Sequence, residues 1–221
     1  QLLDEVLSQD KVDEVHGKPL PRPRGGCVVA LDVRTGAVLA AAAGPRFDIN
    51  VLTQHDTAAW EDILADPRKP LFSRVTEMTL PPGSVFKTLS AVAFLESGRI
   101  EPERTFSCQG FLDSPEQHRC LIFKQFGVGH GDVSLTDALA RSCNVYFFAG
   151  ARRTGSGPLV EWAQRFGFGQ PTGIDLPGER SGNLPLVQES RTRAGNARSL
   201  GETLGLVIGQ GRLTVTPLQV A

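Results

Sequence analysis

Three features that would point to a partner are missing from these 221 residues. Charge of one sign is absent: 23 basic residues stand against 24 acidic ones, spread along the chain, for a formal net charge of −1. That balance gives no support to binding nucleic acid or a charged membrane face. A long hydrophobic run is absent, since none approaches the roughly 18 residues of a membrane-crossing helix. The layout of a leader is missing from the opening residues too, since Gln1-Leu2-Leu3-Asp4 has neither an initiator methionine nor a charged-then-apolar pattern, and the chain is expected to be a piece of a longer protein. No internal repeat or low-complexity tract occurs. What remains is 40% hydrophobic residues with 24 glycines and 15 prolines, enough to bury a sizeable core in one loop-rich globular domain.

Taken in order, Leu2, Leu3, Val6 and Leu7 share one face of a short helix, and Lys18 to Arg24, with three prolines, reads as a linker. Residues 1–24 are thus expected to lead into a domain at 25–221. Cys27 to Asp32 and Ala37 to Ala41 flank Arg34-Thr35-Gly36 as a β-hairpin of two buried strands, with Cys27 in the core. A helix capped by Asp56 or Thr57 runs through Trp60 and Leu64, and Asp48 is as easily a turn cap as a site residue. Glu101 to Gly131 is expected to be loop-like. Ser134 opens a short helix ending near Ser142, Asn144 opens another, and Leu159 to Phe166 adds one closed by Gly167. Residues 169–198 are expected to form a surface excursion, and Thr216-Pro217 starts a last helix.

The most informative stretch is Pro81-Pro82-Gly83-Ser84-Val85-Phe86-Lys87, a proline-glycine turn running into an apolar helical segment that ends near Gly98. A separation of three puts Ser84 and Lys87 on one helix face, where a desolvated amine can take the serine proton. The plainer alternative is a serine N-cap followed by a solvated lysine. Ser142-Cys143-Asn144 lies at the junction of two helices, where side chains can project into a cleft. Ser181-Gly182-Asn183 spells the same Ser-x-Asn pattern inside a Gly/Pro-rich stretch and reads as a turn.

Together with Lys69 to Arg74, Gly129-His130-Gly131 and Ile208-Gly209-Gln210-Gly211, these stretches resemble the transpeptidase domain of class B penicillin-binding proteins, particularly the elongation type that builds the side wall of rod-shaped bacteria. The resemblance implies a mixed α/β (α+β type) fold of the serine transpeptidase and β-lactamase kind, an antiparallel sheet with flanking helices. It implies Ser84 as the acylated nucleophile, Lys87 as its proton acceptor, Ser142 as a relay toward the leaving amine, and Asn144 as the group holding lysine and substrate amide. The Ser84 N–H would be half of an oxyanion hole. The implied substrates are peptidoglycan stem peptides ending in D-Ala-D-Ala, with β-lactams as covalent inhibitors, no catalytic cofactor and no nucleic acid. The implied location is the periplasmic side of the inner membrane, with an anchoring helix outside this sequence and a membrane glycosyltransferase as partner. One departure stands out: none of the five lysines is followed by Thr/Ser-Gly, the family's third motif. That strand and two further central strands are therefore expected to be missing from this chain.

Cys108, Cys120 and Cys143 bracket His130 at intervals of 10 to 13 residues. Three thiolates and an imidazole match a tetrahedral structural zinc set, while a Cys108 to Cys120 disulfide and unconnected buried thiols are the other readings. Gly127, Gly129 and Gly131 read as a turn, and His16, His55 and His118 as surface residues. Trp60 and Trp162 read as packing. Besides an enzyme, the sequence admits a non-catalytic penicillin-binding-like interaction module and a β-lactam sensor or serine β-lactamase relative.

Overall fold

The computed structural model describes residues 2–9, 24–185 and 193–221. In chain order its elements are α1 (Leu2–Ser8), β1 (Gly26–Leu31), β2 (Val38–Gly44), α2 (Asn50–Thr53), α3 (Thr57–Ala65) and a 3-10 turn (Gly83–Phe86) continuing into α4 (Lys87–Glu96). There follow β3 (Phe106–Cys108), α5 (Leu121–Phe126), β4 (Gly131–Val133), α6 (Leu135–Ala140), α7 (Asn144–Thr154), α8 (Gly157–Arg165), α9 (Arg193–Val207) and α10 (Pro217–Val220). They fall into two compact units: Gln1–Thr79 with Pro171–Arg180 and Thr216–Ala221, and Leu80–Gln170 with Ser181–Val215. Among the described residues no helix is long and apolar enough to cross a membrane.

In the first unit β1 and β2 pair antiparallel from Gly26 against Gly44 to Ala30 against Ala40, with an irregularity before Leu31. The Asp32 carboxylate accepts the N–H of Arg34 at 2.7 Å and of Thr35 at 3.3 Å, and Gly36 closes the turn with φ 72°. The hairpin is where it was expected, but its strands are not both buried. Leu39 is 69% exposed and most of β2 is open. Apolar runs mark a strand without saying which face is covered, and in this unit α1 packs on both strands while α10 packs on β1. Cys27 is half-buried instead of central, donating its thiol to the Arg74 carbonyl at 3.4 Å. Asp56 caps α3 by accepting from the Ala59 N–H at 3.0 Å. Asp48 is a turn cap, accepting from the Asn50 backbone and side chain at 2.9 and 2.8 Å, and the single turn α2 that it precedes was not foreseen. Thr216 and Gln219 form a capping box on α10. The linker residues 18–23 and His16 lie outside the described residues.

The second unit has its core among α4, α7, α8 and α9, where Phe94, Phe147, Leu159, Leu204 and Val207 are buried. Each such side chain contributes on the order of 2 kcal/mol when taken from water. Phe94 and Phe147 stack at 5.7 Å, and the Ser90 hydroxyl donates to the Val207 carbonyl at 2.7 Å, tying α4 to α9. Four expectations need correction here. The 101–131 stretch carries β3, paired with β4 through Phe106 and Val133, and the helix α5. Three-residue strands and a six-residue helix are too short to leave a periodic signal. Residues 169–198 are irregular only in their described first part, because α9 begins at Arg193. Asn183 does not end in a free turn: it bridges Thr214 and its amide donates to the Arg212 carbonyl at 2.5 Å. The His118 ring is half-buried against Phe148 at 5.4 Å, not a bare surface group.

Candidate active site

Backbone approach sets the position of Ser84. Leu80 bridges Val215, and the Gly83 N–H, at φ 62°, donates to the Gly209 carbonyl at 2.8 Å. Gly209 must be a glycine: its φ is 68°, and a Cβ there would lie 2.2 Å from the Gly83 oxygen. Ser84 therefore stands exposed on the 3-10 turn, not inside the following α-helix as expected. Lys87, first residue of α4, is by contrast 2% exposed.

Three acceptors surround the Lys87 amine. It donates to the Ser142 carbonyl at 2.8 Å, the Ser142 hydroxyl at 2.9 Å and the Asn144 side-chain oxygen at 2.6 Å. The Ser142 hydroxyl in turn donates to the Ser84 hydroxyl at 2.9 Å. Ser142 therefore stands between Lys87 and Ser84, where the spacing of three had suggested direct contact. Its own backbone makes this possible: at φ 52° a left-handed serine turns both its carbonyl and its hydroxyl onto the amine. Asn144 is held by donation of its amide to the Arg119 carbonyl at 3.0 Å, and the Phe147 ring lies 5.6 Å from the amine. Burial pushes the Lys87 pKa down to about 8, against an opposing pull from the Cys120 and Cys143 thiols. Three donated bonds are the pattern of the ammonium. The neutral amine, with one lone pair, can instead accept a proton through Ser142.

The same helix junction carries the thiol cluster. Cys143 caps α7 and is flanked by Ser142 and Asn144, Cys120 precedes α5, and Cys108 ends β3. Cys108, Cys120, Cys143 and His130 bring their ligand atoms within 4.8 Å of one another, and all the cysteines are free thiols, against the disulfide reading. Sulfur atoms are 3.7 Å apart between Cys108 and Cys120 and 3.8 Å between Cys120 and Cys143, and Cys108 lies 3.5 Å from His130 Nδ1. A zinc ion at about 2.3 Å from sulfur and about 2.05 Å from nitrogen gives tetrahedral edges of about 3.8 and 3.5 Å. The donor set and its spacing thus fit that ion. Hydrogen bonds from the Cys120 and Cys143 thiols hold Cys108 below the ordinary thiol range, and hydrogen bonding with Cys108 and Cys120 holds Cys143 above it. Gly129 lets the loop close over the cluster, since a Cβ there would lie 2.1 Å from the Cys108 carbonyl oxygen.

A cavity of about 650 Å³ opens beside Ser84, bordered also by Ser142, Asn144, His130 and α5. Of the residues singled out from sequence, Ser84, Lys87, Ser142 and Asn144 meet here and the thiol cluster adjoins them. Ser181 and Asn183 do not line this cavity. Sequence reasoning missed Arg119 and Phe147, which act through a carbonyl and a ring face, and the role of Gly209 in holding the serine turn.

A hydroxyl linked through a second hydroxyl to a buried, pKa-depressed lysine defines the class first: the equipment of a serine acyltransferase of the Ser-Lys kind. Residues 26–221 match the family described as penicillin binding protein transpeptidase domain, and the chain belongs to that family. It is 35% identical over 221 residues to peptidoglycan D,D-transpeptidase MrdA of Acinetobacter baumannii, covering 99% of this chain and 32% of that protein. Its fold is similar to Pseudomonas aeruginosa PBP2 in complex with WCK 5153, with TM-score 0.74 and 33% identity over 88% of this chain and 44% of that one. It is also similar to penicillin-binding protein A from M. tuberculosis in a ceftriaxone acyl-enzyme complex, with TM-score 0.74 and 26% identity over 98% of this chain and 45% of that one. The chain spans about a third of the length of the first curated relatives it matches.

Proposed function

We propose that the whole protein containing this chain is a peptidoglycan D,D-transpeptidase that cross-links stem peptides through Ser84. The carrying observation is the line of hydrogen bonds from Ser84 through Ser142 to Lys87, with the amine depressed to about 8. Neutral Lys87 takes the Ser84 proton by way of Ser142 as the Ser84 oxygen attacks the carbonyl carbon of the penultimate D-alanine. The peptide C–N bond then breaks, an ester forms on Ser84, and the terminal D-alanine leaves as an amine that takes the proton back through Ser142. An amine from a neighbouring strand next attacks the ester, forms the new amide, and returns a proton to the Ser84 oxygen. Asn144 holds the lysine and offers its side chain to the substrate amide. The Ser84 N–H, in a first turn where such groups have no helical partner, serves the oxyanion. β-Lactams enter at the first step and stall at the second.

The family's Lys-Thr/Ser-Gly strand, which would supply the second oxyanion donor, is not in this sequence, so the activity is proposed for the whole protein. Its place is the periplasmic side of the inner membrane, beside a membrane glycosyltransferase that supplies glycan strands. Catalysis uses no cofactor. Cys108, Cys120, His130 and Cys143 would hold a structural zinc. When bound, that ion supplies a fixed anchor for the segment bearing Ser142 and Asn144, and spares Lys87 from free thiolates nearby. Labelling with fluorescent penicillin tests the main proposal. The whole protein should label, the Ser84→Ala variant should not, and unlabelled wild-type protein would overturn it.

A further inference from the structure

The second unit holds another cavity, of about 270 Å³, that shares no lining residue with the one beside Ser84. One wall is α7. Tyr146 comes two residues after Asn144, about 200° round the helix, so Tyr146, Ala149 and Arg153 form the face turned away from Ser84 and from the third-motif strand that belongs beside it. The other wall is the chain from Ile100 to Ser107, where Phe106 is fixed by pairing with Val133. Arg99 ties the two walls together, its Nη1 donating to the Arg153 carbonyl at 3.4 Å and the Thr154 carbonyl at 2.9 Å. The cavity is thus built from packed elements of one unit. Its polar groups lack partners. Tyr146 is 4% exposed, yet among the described residues its hydroxyl has no hydrogen-bond partner, and it is not sealed off from the cavity. Burial pushes the Tyr146 pKa up against the pull of Arg153, so the phenol stays an O–H donor. Helix side chains lean toward the N-terminus, which carries the Arg153 guanidinium back toward Tyr146. Arg104 borders the same cavity from the other wall, and neither arginine pairs with Glu101, the one carboxylate among the described lining residues. Two free cations therefore face one anion around a buried donor that has nothing to donate to, an arrangement that a bound anion completes.

We infer that this cavity binds an organic phosphate, a phosphate group carried on an apolar body. Arg104, Arg153 and the Tyr146 hydroxyl hold the phosphate oxygens, and the body lies against Ile100 and Phe106. Two guanidinium forks and a phenol donate from separate positions, which suits a tetrahedral oxyanion, whereas a single fork already saturates a planar carboxylate. The inference does not depend on acylation at Ser84.

The test is calorimetric titration of the whole protein with phenyl phosphate. One equivalent should bind, roughly tenfold tighter than inorganic phosphate, which lacks the apolar body, and roughly tenfold tighter than benzoate, which can use only one fork. Arg104→Ala and Arg153→Ala should each weaken it roughly tenfold, and Tyr146→Phe roughly fivefold, the worth of one hydrogen bond. Arg153→Lys, which keeps the charge without the fork, should fall in between and serves if Arg153→Ala does not fold. Arg152→Ala is the control: it removes a cation from the same helical turn, but one committed to Asp113 at 2.7 Å, and should change nothing. Vesicles of phosphatidylglycerol that displace the probe would mark a lipid headgroup as the source of the phosphate, and vesicles that do not would mark a soluble one; both uphold the class. Absence of saturable binding, benzoate binding as tight as phenyl phosphate, or equal losses in Arg152→Ala and Arg153→Ala would overturn the inference. Penicillin labelling does not enter this test, so either idea can fail alone.

Discussion

Acylation of the whole protein should speed up with pH and level off near pH 8. The perturbation is pH itself, and the group that responds is Lys87. A lysine with a pKa of about 10.4 is neutral in roughly one molecule in 2,500 at pH 7. Burial brings Lys87 to about 8, so roughly one in ten is neutral at that pH, a gain of about 200-fold in the form that can accept a proton. The sign follows from the charge of the conjugate acid. Below about 8 the ammonium dominates and the rate climbs about tenfold per unit, and above it the base is fully formed and the rate is flat. The assay is the second-order rate constant for fluorescent penicillin between pH 6 and 9.5. A profile that is flat throughout, or still climbing at pH 9.5, would refute the assignment of Lys87 as the base. Lys87→Arg, which keeps the charge but has no accessible neutral form, should lower acylation about a thousandfold while the protein stays folded.

Ser142→Ala removes the hydroxyl between Lys87 and Ser84 and should cost about a hundredfold or more in acylation rate; an unchanged rate would mean that lysine reaches Ser84 directly. Gly209→Ala forces a Cβ to within 2.2 Å of the Gly83 oxygen at φ 68°, so the thermal midpoint should fall by several degrees and labelling should fall with it, measured by calorimetry and gel fluorescence. If the thiol cluster holds zinc, the purified protein should contain about one equivalent by elemental analysis, Cys120→Ser should lose it, and a chelator should lower the thermal midpoint. Absence of metal from protein purified without chelators would return the cluster to unconnected thiols.

What could be read in the sequence was what depends on spacing and caps. Thr216 and Ser134 announce their helices because a hydroxyl three residues before Gln219 and Asp137 satisfies free N–H groups in a way independent of the rest of the fold. Ser84, Lys87, Ser142 and Asn144 were visible as short patterns in family order, and the four thiol-cluster residues as a donor set with no fixed partner. What could not be read depends on backbone conformation and remote approach. Ser142 adopts a left-handed φ that nothing in Ser-Cys-Asn prescribes, and that angle inserts it between Lys87 and Ser84. Arg119 contributes a carbonyl, which every residue has, so its identity carried no signal. Leu121 to Phe126 is only six residues long, and Leu39 lies in an apolar strand whose exposure is decided by what packs on it.

The central claim is tested most directly by locating the penicillin adduct. The whole protein is incubated with a penicillin, digested with trypsin and examined by mass spectrometry, where cleavage after Arg74 and Lys87 releases the single peptide Val75 to Lys87 containing Ser84. The penicilloyl mass should appear on that peptide and fragment to Ser84. An adduct on any other residue, or none while the protein is folded, would contradict it.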